Sequence, residues 1–131
     1  MMQIVTDYFE AFNAGDVEAM LACLTDDVAH HVNEGQVRRG KDLFKAFCAH
    51  MNQCYAETLT DMVVFSGKDG ARAAAEYTVN GTYLQTDAGL PEANGQTYAL
   101  PAGSFFDIRD GKIARVTTHY NLADWVRQVA A

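Results

Sequence analysis

The chain has 131 residues, 49% hydrophobic and 21% charged, with a formal net charge of −7. That is enough for one core, so a single domain over 1–131 is expected, and the negative balance argues against a nucleic-acid partner, whose phosphates need a basic face. The start lacks the basic and apolar regions of a signal peptide, and no apolar run approaches the ~18 residues of a membrane span, so no membrane partner and a cytoplasmic location are expected.

Ile4, Val5, Tyr8, Phe9 and Phe12 recur at helical spacing and predict a first helix over 2–13. Gly15 suits its end and Asp16 the cap of a second helix, 17–24, which buries Val17, Met20, Leu21 and Leu24. Both are too short to be stable alone and must pack on something. Residues 28–34 read as a strand carrying His30 and His31, and 35–40 as a turn. Arg38, Arg39, Lys41 and Lys45 are read as a solvated turn and helix start, since no aromatic platform accompanies them. A third helix, 41–53, places Leu43, Phe44, Phe47, Cys48 and Met51 on one face.

From Thr58 the period becomes strand-like: 58–65, then 71–86 after the turn "SGKDG". Gly81 inside the long strand suggests a bulge or bend. "DAGLPEANGQ" is a polar loop expected at a rim. Strands 97–108 and 112–121 flank "RDGK", a hairpin signal, and Pro101 with Gly103 should bend the first of them. Leu122, Trp125, Val126 and Val129 form one face of a closing helix. Helices first and sheet later argue for an α+β layer fold. Cys23, Cys48 and Cys54 are an odd set without a C-x-x-C pair, so neither a disulfide framework nor a zinc site is expected, and Cys23 and Cys48 fall on apolar helix faces.

The strings "NAGDVEAMLACLTDDV" and "RRGKDLFKAF", then "GLPEANGQTYALPAGSFFDI" and "GKIARVTTHYNLADW", resemble the nuclear-transport-factor-2-like superfamily over essentially the whole chain. Within it they resemble the ketosteroid isomerase and SnoaL-like polyketide cyclase branch, in its steroid delta-isomerase-related subfamily. The resemblance implies a cone: a strongly bent antiparallel sheet wrapped around the N-terminal helices and enclosing an apolar pocket. It also implies a homodimer through the outer sheet face and no cofactor. Because this fold hosts isomerases, cyclases, hydrolases, dehydratases and non-catalytic domains, function rests on the site.

Tyr8 matches the position of the isomerase tyrosine that donates a hydrogen bond to a developing enolate, a role well served by a phenol in an apolar cavity. The family's aspartate base is missing from the first strand: counting from Asp27 it falls on Val32, and counting back from Gly40 on His31. The role therefore passes to His30, His31 or Glu34, and since adjacent strand residues face opposite ways only one histidine can face the pocket. Apolar company favours His30. The same geometry prevents the pair from ligating one metal ion. The second oxyanion donor of the isomerases falls on Gly103, beside Ala102 and Ser104, and the third-helix tyrosine on Cys48.

Tyr8, His30 and His31 are thus the catalytic candidates, with Phe12, Val32, Phe47, Cys48, Glu76, Gly103, Phe105, Thr118 and Tyr120 as ligand-binding candidates. Glu76 and Tyr77 face opposite ways, as do Phe105 and Phe106, so one of each pair reaches the cavity, and His119 points outward. Two activities fit: cofactor-independent proton transfer on a small apolar carbonyl compound, as in an isomerase or cyclase, or non-catalytic binding of a hydrophobic small molecule. An oligomerisation module fits the polar inward strand residues less well.

Overall fold

The first helical hairpin is set by its joint. α1 (Gln3–Ala14) ends at Gly15, whose φ of +70° is open to glycine without strain. The Gly15 and Asp16 amides return to Phe12 and Ala11 carbonyls, and the Asp16 side chain accepts from the Ala19 amide at 3.0 Å to start α2 (Val17–Ala22). The computed structural model describes residues 3–33 and 35–130; Met2 and Glu34 lie outside them.

α2 stops at Ala22 and β1 (Leu24–Val32) begins earlier than its composition suggests. The cause is tertiary: the Ile113 amide donates to the Cys23 carbonyl at 2.8 Å and captures the chain as a strand there. β2 (Arg38–Arg39) pairs antiparallel with β1 and gives the basic turn a strand character. α3 (Lys41–Cys54), β3 (Tyr55–Ser66), β4 (Arg72–Tyr83), β5 (Thr97–Arg109), β6 (Lys112–Tyr120) and α4 (Leu122–Val129) complete the chain. The curved open sheet has the order β2-β1-β6-β5-β4-β3, antiparallel except for the parallel β1–β6 pair.

The β5–β6 hairpin turns through Asp110 and Gly111, both at positive φ (53° and 75°), as an Asp-Gly pair predicts. β5 runs unbroken through Pro101, which lies one residue beyond the last β5–β6 pair, Ala102 with Tyr120. Gly81 does not mark a bulge: its pairs with Glu57 and Tyr98 sit in unbroken register. A Cβ at Gly81 would collide with the Tyr98 ring, so the glycine admits a side chain crossing above it. The bulge lies on β3 instead, between Thr60 and Val63, where Asp61 has a φ of 55°. It switches the inward set from Tyr55 and Leu59 to Met62 and Val64.

Two apolar clusters result. One joins α1, α2 and α3 to the sheet through Val5, Phe9, Phe44, Phe106 and Val116. The other gathers Tyr55, Tyr83, Tyr98, Leu100, Trp125 and Val129 beneath α4. Asn13 ties α1 to the sheet, donating to the Leu59 carbonyl at 3.0 Å and accepting from its amide at 2.9 Å.

Candidate functional site

Between the two clusters lies a cavity of about 1260 Å³. That exceeds the ~300–1,000 Å³ of most ligand sites. Sheet register decides what enters it. Val116, Thr118 and Tyr120 of β6 face in, as do Ala102, Ser104 and Phe106 of β5, and Ala73, Ala75 and Tyr77 of β4.

At the β1 end, His30 is only 4% exposed and packs between Phe44 and Phe47, ring centroids 4.8 and 4.7 Å away. Burial, then the neighbouring Arg38 and His31, pull its pKa down to about 4. The imidazole is therefore neutral at neutral pH, and its Nδ1 is buried without a hydrogen-bond partner. Tyr8 lines the same cavity, edge-on to Phe44 and Phe106 at 6.3 and 6.0 Å, and burial raises its pKa well above the usual phenol value. It stays a protonated donor.

Beside Tyr8 runs a chain of hydroxyls. Tyr77 Oη and Ser104 Oγ are 2.7 Å apart, and Ser104 Oγ lies 2.8 Å from Thr118 Oγ1. All three side chains line the cavity. Every hydroxyl both donates and accepts, so the chain can turn its protons toward a developing negative charge. Cys48 also lines this end, its thiol held protonated by burial that raises its pKa to about 11.

The opposite end is built from tyrosine–carboxylate pairs. Tyr98 Oη donates to Glu57 at 2.5 Å by reaching across Gly81, the residue paired with both. Tyr55 Oη donates to Asp87 at 2.7 Å, and His50 Nε2 lies 2.9 Å from the other Asp87 oxygen. Burial raises the Glu57 pKa, partly offset by the Tyr98 bond. Tyr83, fully buried, fixes the adjoining loop by donating to the Pro91 carbonyl and accepting from the Asp87 amide. His50, Cys54 and Asp87 hold their ligand atoms within 4.8 Å of one another, the one such group among the described residues. The hydrogen bonds to Asp87 hold His50 and Tyr55, and Cys54 is in neither of them.

Of the residues the sequence points to, Tyr8, Phe12, His30, Val32, Phe47, Cys48, Thr118 and Tyr120 line the cavity. Four others do not. His31 pairs with Thr117, and Thr117 with Phe105; Glu76 pairs with Gly103, and Gly103 with His119. These are the outer rows of the sheet, so His31, Glu76, Gly103 and Phe105 face away from the cavity, with Phe105 45% exposed. The cause is the two-residue alternation of strands: Tyr77, Ser104 and Phe106 take the inner places. The Arg38 reading is corrected as well: its guanidinium sits 4.7 Å above the Phe47 ring and lines the cavity. Glu34 lies outside the described residues. Tyr77 takes the inward place that the sequence left open between it and Glu76, while Glu57, Tyr98 and Ser104 went unassigned, and the one signal that could have found Tyr98 is Gly81.

A helix-walled cavity on a curved sheet, with buried polar groups along one side, defines a nuclear-transport-factor-2-like fold. The SnoaL-like domain model matches residues 5–116, and the chain belongs to that family. No curated protein matches it. A solved structure of a candidate polyketide cyclase from Silicibacter sp. TM1040 is 68% identical, with 98% of this chain and 94% of that one covered and a TM-score of 0.97. Another candidate polyketide cyclase, from Pseudomonas putida KT2440, is 60% identical over 96% and 95% of the two chains, with a TM-score of 0.94. A protein of unknown function from Burkholderia pseudomallei K96243, described as NTF2-like, is 22% identical over 99% and 97%, with a TM-score of 0.78, and shows the shared fold. Among the described residues no helix is long and apolar enough to cross a membrane.

Proposed function

We propose that this protein is a cofactor-independent enzyme of isomerase or cyclase type, moving a proton on a small, mainly apolar carbonyl compound. One observation carries the reading: His30, a buried neutral imidazole, lines the same cavity as Tyr8 and the Tyr77–Ser104–Thr118 hydroxyls. His30 takes a proton from the carbon next to the carbonyl, the C–H electron pair forms the enolate C=C bond, and the carbonyl π pair moves onto the oxygen. Tyr8 and the hydroxyl chain donate to that oxyanion. Return of the proton from His30 to a different carbon is isomerisation; attack of the enolate carbon on a second carbonyl forms the new C–C bond, and the resulting alkoxide takes the proton back from His30, which is cyclisation. The similarity to candidate polyketide cyclases supports this class.

The test is deuterium exchange. A panel of bicyclic ketones such as 2-tetralone is incubated with enzyme in D2O and followed by NMR. The wild type should speed exchange at the carbon next to the carbonyl, and His30→Gln should lose at least ~100-fold of that rate. Equal rates for the two proteins would remove His30 as the base.

The second reading, a non-catalytic binder, is favoured by the low basicity of His30 and its aromatic enclosure. It predicts ligand affinity that survives His30→Gln with no exchange by either protein. Homodimerisation is part of the proposal. Phe65, Ala74 and Phe105 form one outward cross-strand row, and Val63, Phe65 and Phe105 are 45%, 52% and 45% exposed. Three unbridged cysteines suit a reducing, cytoplasmic setting.

A further inference from the structure

Arg38 is the one lysine or arginine among the described residues that lines the cavity. It stands directly opposite His30 across the β1–β2 pair, so the two side chains share the inner face. Both pack on Phe47: the guanidinium lies 4.7 Å above the ring, and the imidazole centroid is also 4.7 Å away. Arg38 Nη1, like His30 Nδ1, is buried with no hydrogen-bond partner.

Of the five other arginines, four are in ion pairs and the fifth, Arg39, is exposed. Arg72 and Arg115 pair with Asp107, Arg109 with Asp27, and Arg127 with Asp124. Arg38 forms no ion pair among the described residues. Among the described residues, the two carboxylates that line the cavity cannot serve it, since Glu57 is held by Tyr98, and Asp87 by Tyr55 and His50. Arg38 is half-buried, and a guanidinium nitrogen taken out of water without a partner is unfavourable unless something else supplies one. A guanidinium presents a planar fork of donors whose best complement is a carboxylate held by two parallel hydrogen bonds.

We propose that Arg38 is the carboxylate-binding residue of this cavity, and that the natural ligand is a small apolar molecule carrying a carboxylate. The inference rests on the reading that the cavity holds the ligand, and it fixes which end of the ligand faces β1. A carboxylate on Arg38 places the adjoining carbon skeleton beside His30. The Phe44 and Phe47 rings then supply apolar walls for that skeleton.

The test uses two probes of one shape, 2-naphthoate and neutral 2-naphthamide, with calorimetric titration of the full chain. Wild type should bind the carboxylate at least tenfold tighter than the amide. Arg38→Gln should erase that preference while leaving amide affinity within about twofold. Arg38→Lys, which keeps the charge and lacks the fork, should retain part of the preference, and it carries the test if Arg38→Gln does not fold. Equal wild-type affinities, or a preference unchanged in Arg38→Gln and Arg38→Lys, would overturn the assignment and leave the cavity reading standing. Absence of binding by either probe at millimolar concentration would overturn both.

Discussion

The two ends of the cavity contain similar side chains and treat them in opposite ways. At the α4 end, Glu57 and Asp87 are satisfied by tyrosine hydroxyls, and His50 completes the second pair. At the β1 end, His30 Nδ1 and Arg38 Nη1 are enclosed and unpartnered. Buried polar groups normally find partners, because an orphan costs about 1–3 kcal/mol and a charged one more. The satisfied end therefore serves the architecture, holding the 84–96 loop and α4 against the sheet. The unsatisfied end carries a standing cost that a ligand can relieve. That contrast separates scaffold from site among residues that composition alone cannot separate.

The contrast can be broken most forcefully through His30. Its pKa is lowered from 6.5 to about 4. Between those values the unfolded chain binds a proton that the folded one refuses, so stability is full above pH 6.5 and falls as pH drops toward 4. Across that window the loss should reach about 3 kcal/mol. Urea unfolding of wild type at pH 7 and pH 4.5 should show most of it, and His30→Leu should flatten the dependence. The same shift predicts that any activity needing neutral His30 keeps its acid limb near pH 4.

Gly81→Ala attacks the satisfied end. The added methyl meets the Tyr98 ring, and overpacking of this kind costs about 1–3 kcal/mol. Tyr98→Ala should lose stability as well, yet the double variant should be more stable than the sum of the two losses. A double-mutant cycle by chemical denaturation reads that coupling, and simple additivity would show that the ring does not cross the glycine.

Ser104→Ala sharpens the other side. Ser104 is 1% exposed and joins Tyr77 to Thr118. Its loss should cost about 1–2 kcal/mol in stability. It should also slow any oxyanion-dependent exchange more than His30-independent binding. The smallest effect concerns the cysteines. Burial raises the pKa of Cys23, Cys48 and Cys54, so iodoacetamide at neutral pH should label the native protein far more slowly than the denatured one.

Much of the fold could be read from local rules. Gly15–Asp16 marked the α1–α2 joint and Asp110–Gly111 the hairpin because those turns demand particular backbone angles. His30 could be singled out because its neighbours set an apolar strand face, and Tyr8 because its position matches the isomerase tyrosine that the resemblance implies. What could not be read depends on pairing between distant strands. A one-residue offset in counting back from Gly111 exchanges inward Ser104 for outward Gly103. The bulge at Asp61 changes which β3 residues face in, and a single Asp inside a strand pattern is too weak a signal to announce it. Tyr98 meets Glu57 only because two registers align at Gly81. Arg38 looked solvated because its aromatic companion, Phe47, lies on a different element.

The most direct test of the claim that the β1 end is the reactive one is an NMR titration of the four imidazoles from pH 3.5 to 8. The account predicts that His30 stays neutral to about pH 4, well below the ordinary imidazole value of 6.5. A His30 titration near 6.5 would mean that the imidazole is solvated, and would contradict a buried base in an enclosed site.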